Sequence, residues 1–127
     1  MTSLHILLIS LSLAGFWSKA DKPKTDITEF SIYKGACFGI CPIYTATFYK
    51  DGSCTFEWKA PAKNIDLSKF RVGNFVGQIT PEQFDSIALI IDAYNFFNLQ
   101  DYTDNARDLP PCKITAKNSD TTHSVSI

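Results

Sequence analysis

Residues 43–49 and 53–59 are two runs rich in Thr, Tyr, Phe and Trp, separated only by Lys50-Asp51-Gly52. Asp-Gly between alternating runs is a strong short-range signal for a β-hairpin, because glycine takes the positive φ such a turn needs. Parity then selects the register. A two-residue loop would set Phe48 opposite Thr55 and Thr47 opposite Phe56, mixing polar and apolar side chains across the ladder. A three-residue loop with Gly52 left-handed pairs Phe48 with Cys54, Ala46 with Phe56 and Tyr44 with Trp58, so that one face is apolar throughout. The second register is the expected one, with Thr45, Thr47, Thr55 and Glu57 facing water.

The rest of the chain supplies partners for that face. Residues 28–34 alternate, with Phe30 and Ile32 on one side and Glu29, Ser31 and Tyr33 on the other, the pattern of a half-buried strand. Residues 60–70 read as a connection, and a further strand is expected near 75–79 after a Gly73-Asn74 turn. A helix follows. Thr80 is its N-cap, Pro81 its first residue, and Gln83 completes a capping box. Phe84, Ile87, Ala88, Ile91 and Tyr94 recur at helical spacing and are expected to face the sheet, while Leu89 and Ile90 suggest a second covered surface. Residues 101–111 form a polar loop; 113–117 and 121–127 read as strands, the last an open edge. The expected fold is α+β: an antiparallel sheet of about five short strands with one main helix packed on its apolar face.

The chain begins with a leader. Residues 1–18 carry no Asp, Glu, Lys or Arg, yet the apolar run within them is shorter than the roughly 20 residues that span a bilayer. Ser18-Lys19-Ala20 places small residues where a signal peptidase reads them, so 1–20 is expected to be a signal peptide cleaved after Ala20, the alternative being a retained N-terminal anchor. Phe16 stands where a lipoprotein box would have cysteine, so no thiol is available there for acylation. Residues 21–27 then form a polar tether and 28–127 one domain, exported to a periplasmic or extracellular space. Thirteen acidic against twelve basic residues, with no basic stripe, argue against a nucleic-acid partner.

Four cysteines in an exported domain are an even set, and an oxidising compartment favours pairing. Cys37 and Cys41 flank Gly39 in a tight turn. They are candidates for a structural disulfide, for a reduced thiol pair with metal or redox work, or for pairing with the other cysteines. Cys54 and Cys112 both take the inward parity and would close a long loop if their strands were neighbours; otherwise they are small buried hydrophobes.

The stretch Gly35-Ala36-Cys37-Phe38-Gly39-Ile40-Cys41-Pro42-Ile43-Tyr44, the Asp51-Gly52 hairpin, the helix start Thr80-Pro81-Glu82-Gln83-Phe84, Asp101-Tyr102 and Asp108-Leu109-Pro110 together resemble an uncharacterised bacterial family, domain of unknown function 6438. The resemblance implies export and an α+β domain and brings no catalytic role. Family members usually continue past the last strand into a further helix, which implies that residues 28–127 lack a C-terminal element. The Cys-x-x-x-Cys-Pro spacing is also similar to that of thioredoxin-fold copper-delivery proteins, which would make Cys37, Cys41 and His123 a metal set. In those proteins the second cysteine opens a helix that lowers the thiol pKa, whereas residues 43–48 here are a strand.

No other chemistry stands out. Asp101, Asp104, Asn105 and Asp108 lack the spacing and glycine of an EF-hand loop. No serine sits in a nucleophile elbow, and Glu57 and Glu82 have no argued proximity. Tyr33, Tyr44, Trp58 and Tyr94 could line a groove, but aromatic core packing accounts for them. The expectation is a non-enzymatic binding or structural module, without cofactor, stapled by disulfides. Its partner would be another protein, or a second copy at a strand edge. The alternative is a thiol-redox or copper-binding protein acting through Cys37 and Cys41.

Overall fold

The computed structural model describes residues 22–59, 66, 68, 71–102 and 109–127. The leader and most of residues 60–70 lie outside that set, as do Asp104, Asn105 and Asp108 of the acidic loop.

Six strands form one antiparallel sheet: β1 (Ile27–Lys34), β2 (Ile43–Tyr49), β3 (Ser53–Lys59), β4 (Gly73–Gln78), β5 (Cys112–Asn118) and β6 (Thr122–Ser126). Their spatial order is β4-β3-β2-β1-β5-β6. The fold class is therefore α+β, with six strands where about five were expected. The strand expected near 75–79 is β4, and it begins earlier. Gly73 and Asn74, which read as a turn, belong to the strand and pair with Trp58 and Glu57.

The β2–β3 hairpin has the three-residue register. Phe48 faces Cys54, Ala46 faces Phe56 and Tyr44 faces Trp58. Gly52 has φ +87°, and a Cβ there would lie 2.5 Å from the Ile79 carbonyl oxygen. Both facts require glycine at this corner. The Asp51 carboxylate accepts from the Ser53 amide at 2.8 Å and its hydroxyl at 2.6 Å, and those bonds hold its pKa below the ordinary carboxylate range.

The helix α1 (Pro81–Ala93) starts as its sequence requires. The Gln83 amide donates to Thr80 Oγ1 at 3.2 Å, and the Gln83 side-chain oxygen accepts from the Thr80 amide at 2.8 Å. Phe84, Ala88 and Ile91 share one buried cluster with Ile27 of β1, Ala116 of β5 and Val125 of β6. Phe30, Phe48 and Ile114 pack around it. These sheet residues stand on one face by register: Phe30 lies opposite both Phe48 and Ala116, and Ile114 opposite Val125.

Two helix expectations change. Tyr94 is 71% exposed, because α1 ends at Ala93 and the helical phase ends with it. Asn95 then adopts a left-handed conformation, φ 50°, which reverses the chain and sends Phe96 into the core. Ile90 is also exposed, so the second helix surface stays open there.

The segment read as a polar tether is docked. Ile27 is buried in β1, and the amides of Lys24 and Thr25 donate to the Asp92 carboxylate of α1. Lys50 pairs with Asp26 across the same end. At Asp92, partial burial opposes ionisation, but the Thr25 and Lys24 donors outweigh it and hold the pKa below the ordinary range.

The last strand is a sheet edge as expected, and it is capped at its C-terminal end. Tyr102 N donates to Ser126 O at 2.9 Å, and the Ser126 amide donates to the Asp101 carboxylate at 2.7 Å. Asp101 and Tyr102 thus take up the outward backbone groups of Ser126.

Because the Asp92 carboxyl is depressed in the folded state, its contribution is present above the unfolded pKa and is lost as pH falls through the folded one. Denaturant midpoints of the wild type are expected to drop more steeply below about pH 4 than those of Asp92→Asn. Parallel curves would show that Asp92 does not hold the N-terminal segment.

Candidate functional site

Residues 35–42 connect β1 to β2 and form the cysteine turn. Its base is fixed by backbone: the Gly35 amide donates to Pro111 O at 2.8 Å. The contact is so close that a Cβ on Gly35 would lie 2.6 Å from Pro111 Cγ and 3.1 Å from Tyr33 Oη. Glycine here lets the strand end press against the start of β5. Higher in the turn, the Sγ atoms of Cys37 and Cys41 are at bonding distance, with Cα atoms 5.6 Å apart. The Gly39 amide points at Cys37 Sγ, 3.2 Å away. A bridge across so short a span fixes the turn against both strands.

That geometry pushes apolar side chains outward. Phe38 is 74% and Ile40 60% exposed. Phe38 shares a shallow depression with Ala36, Cys37 and Leu109, and Leu109 is itself exposed. The tip of the turn is therefore an apolar patch on a covalently braced support.

The remaining cysteines are separate. Cys54 and Cys112 are free thiols, and a bridge between them is excluded by strand order. β2 and β1 stand between β3 and β5, and Cys112 is level with Trp58 through Lys34 and Tyr44, four residues along from Cys54. Strand spacing and rise put them about 20 Å apart, far beyond disulfide reach. Cys54 instead fills the space opposite Gly77, where a Cβ would lie 3.0 Å from its Sγ. Cys112 borders a depression with Tyr44, Leu109 and Ile127.

His123 does not join the cysteines. It pairs with Ala116, which is level with Phe30, whereas the cysteine turn follows Lys34 at the other end of β1. Its ring lies against Phe96 and Phe97, and Nε2 is 2.9 Å from Leu99 O. The histidine anchors the segment that covers β6. Among the described residues, no group of three His, Cys, Asp or Glu side chains converges on a possible metal position.

The aromatics divide the same way. Tyr44 stacks on Phe56 at 5.2 Å between ring centroids, and Phe56 meets Trp58 edge-on at 5.4 Å, a ladder inside the sheet face. Trp58 Nε1 is buried without a hydrogen-bond partner among the described residues. Tyr94 instead stands at the rim of an apolar groove of about 340 Å³ between α1 and the sheet. Phe30, Ile114 and Val125 line its floor, and Ile90, Leu99 and Ile127 its rim. Sequence periodicity missed this groove, because it opens where the helix stops short of the β6 end. Among the described residues its lining is apolar apart from Tyr94. Among the described residues, no helix is long and apolar enough to cross a membrane.

The chain matches the family model described as a domain of unknown function, DUF6438, over residues 28–126. The chain belongs to that family. No curated protein matches it.

Closing a turn this short restricts the unfolded chain by about 2 kcal/mol in the loop-entropy description. Changing Cys37 and Cys41 together to serine is therefore expected to lower unfolding free energy by about that amount while the far-UV spectrum stays native. An unchanged midpoint in denaturant would contradict the bracing role.

Proposed function

We propose that this family member is an exported, non-enzymatic module that binds another protein through the cysteine turn. The observation that carries the reading is the exposure of Phe38 and Ile40 at the tip of a turn closed by Cys37 and Cys41 and tied at its base by Gly35 to Pro111. A rigid loop that already holds apolar anchors in place has little ordering entropy left to lose on binding. Apolar and aromatic side chains presented in this way are the usual centre of a protein-recognition patch. The reading of residues 1–20 as a cleaved signal peptide supports export, since the bridge needs an oxidising space to persist.

The competing thiol-redox reading has the half-buried Cys37–Cys41 pair in its favour. Reactive thiol pairs depend on an electropositive setting such as a helix N-terminus. Here the second cysteine is followed by Pro42 and then strand β2, so no helix dipole acts on it. The copper reading loses its third ligand, because His123 is engaged at the far end of the sheet.

Recovery of the protein from the producing cell, with crosslinking before lysis, separates these readings. The exported chain is expected to begin at Asp21 and to carry a crosslinked protein that the Phe38→Ser/Ile40→Ser variant loses at unchanged melting temperature. Retention of that partner by the double variant contradicts the binding reading, as does a disulfide-exchange activity abolished by Cys37→Ser/Cys41→Ser alone.

A further inference from the structure

The two edges of the sheet are finished differently. Along β6, Tyr102 and Asp101 satisfy the backbone of Ser126, and the His123 ring nitrogen reaches Leu99 O. Along β4, none of the described residues pairs with the outer side. The Ile79 amide donates to Gly52 O at 2.8 Å, which fixes the direction of its backbone groups toward β3. Direction alternates along a strand, so Asn74, Val76 and Gln78 turn their N–H and C=O groups away from β3. Val76 is 88% exposed. Natural edge strands are protected by charge, proline or a bulge, yet residues 72–80 contain no Asp, Glu, Lys, Arg or Pro.

We propose that β4 is a self-association edge, through which two copies of this chain pair antiparallel about a two-fold axis at Val76. This register engages all three outward-facing residues, setting Asn74 opposite the other copy's Gln78 and Val76 opposite itself. On the face that carries the helix, Phe75 of each copy falls opposite Gly77 of the other. Gly77 has no Cβ, and an aromatic ring across from a strand glycine covers its bare backbone. On the opposite face the two Val76 side chains meet as an apolar cross-strand pair, and the register opposes no like charges. The second copy fits better than an unrelated strand because each chain supplies both the ring and the glycine that receives it. The joined sheet continues through both copies. The cysteine turn lies at the Gly73 end of β4, level with Trp58, Tyr44 and Lys34, so an antiparallel pair places its two turns at opposite ends.

The contact is small. A strand of six residues is about 20 Å long, which gives far less than the roughly 1,600 Å² of a standard interface. The dimer is accordingly weak and appears as concentration rises.

Sedimentation equilibrium of the purified protein over a concentration series tests this, with Val76→Lys as the disrupting variant and Thr122→Lys, on the other edge, as the charge control. The wild type and Thr122→Lys are expected to show the same reversible monomer–dimer equilibrium. Val76→Lys places two like charges together and weakens association about tenfold or more at unchanged melting temperature. Val76→Cys checks the register independently: it is expected to form an interchain disulfide on mild oxidation where wild type and Asn74→Cys do not. A wild type that stays monomeric throughout overturns the proposal. So does a dimer that Val76→Lys leaves unchanged, a crosslink that forms as readily at Asn74→Cys, or a monomer that takes up a strand only from another protein.

Discussion

One helix has to cover one face of a six-stranded sheet, and it is too narrow to do so. Six strands span about 24 Å between the outermost axes, whereas a helix with its side chains is about 10 Å across. The structure resolves the mismatch by placing α1 over the half of the face where Ala116, fully buried, lies among larger side chains. There Phe84, Ala88 and Ile91 reach Ile27, Ala116 and Val125. Burial of each large side chain in that cluster stabilises by about 1.5–3 kcal/mol. The other half of the face relies on its own aromatic ladder, Tyr44, Phe56 and Trp58. Beyond the ladder, the β4 edge is left thinly covered.

That asymmetry organises the rest. The covered half carries an edge capped at Ser126, where Asp101 and Tyr102 reach β6 and His123 lies against Phe96 and Phe97. The other half ends in Val76 and Phe75, both exposed. At one end of the sheet the chain between β1 and β2 presents Phe38 and Ile40 on a turn too short to hold its shape by packing. A covalent bridge does what a core cannot do there.

Features legible in the sequence were those set by local chemistry and side-chain parity. The hairpin register followed from which residues would share a face, and the strain at Gly52 confirms the loop length. Thr80, Pro81 and Gln83 marked the helix start because a capping box is complete within four residues. Family membership was legible from the stretch around Cys37 and Cys41. What failed depended on residues distant in sequence. Parity correctly put Cys54 and Cys112 on one face but said nothing of strand order, so their separation was invisible. The cover over β6 comes from residues more than twenty positions away, and only folding brings it there. Tyr94 matched the helical period, but Asn95 broke it in a left-handed turn that no apolar pattern announces.

The account stands on sulfur bracing the β1–β2 turn while the other two thiols remain unbridged. Mass mapping of thiols in the purified protein, alkylated in denaturant without reductant, measures this directly. The expected result is alkyl label on Cys54 and Cys112 and an intact link between Cys37 and Cys41. Label on Cys37 and Cys41, or a peptide joining either of them to Cys54 or Cys112, would contradict it.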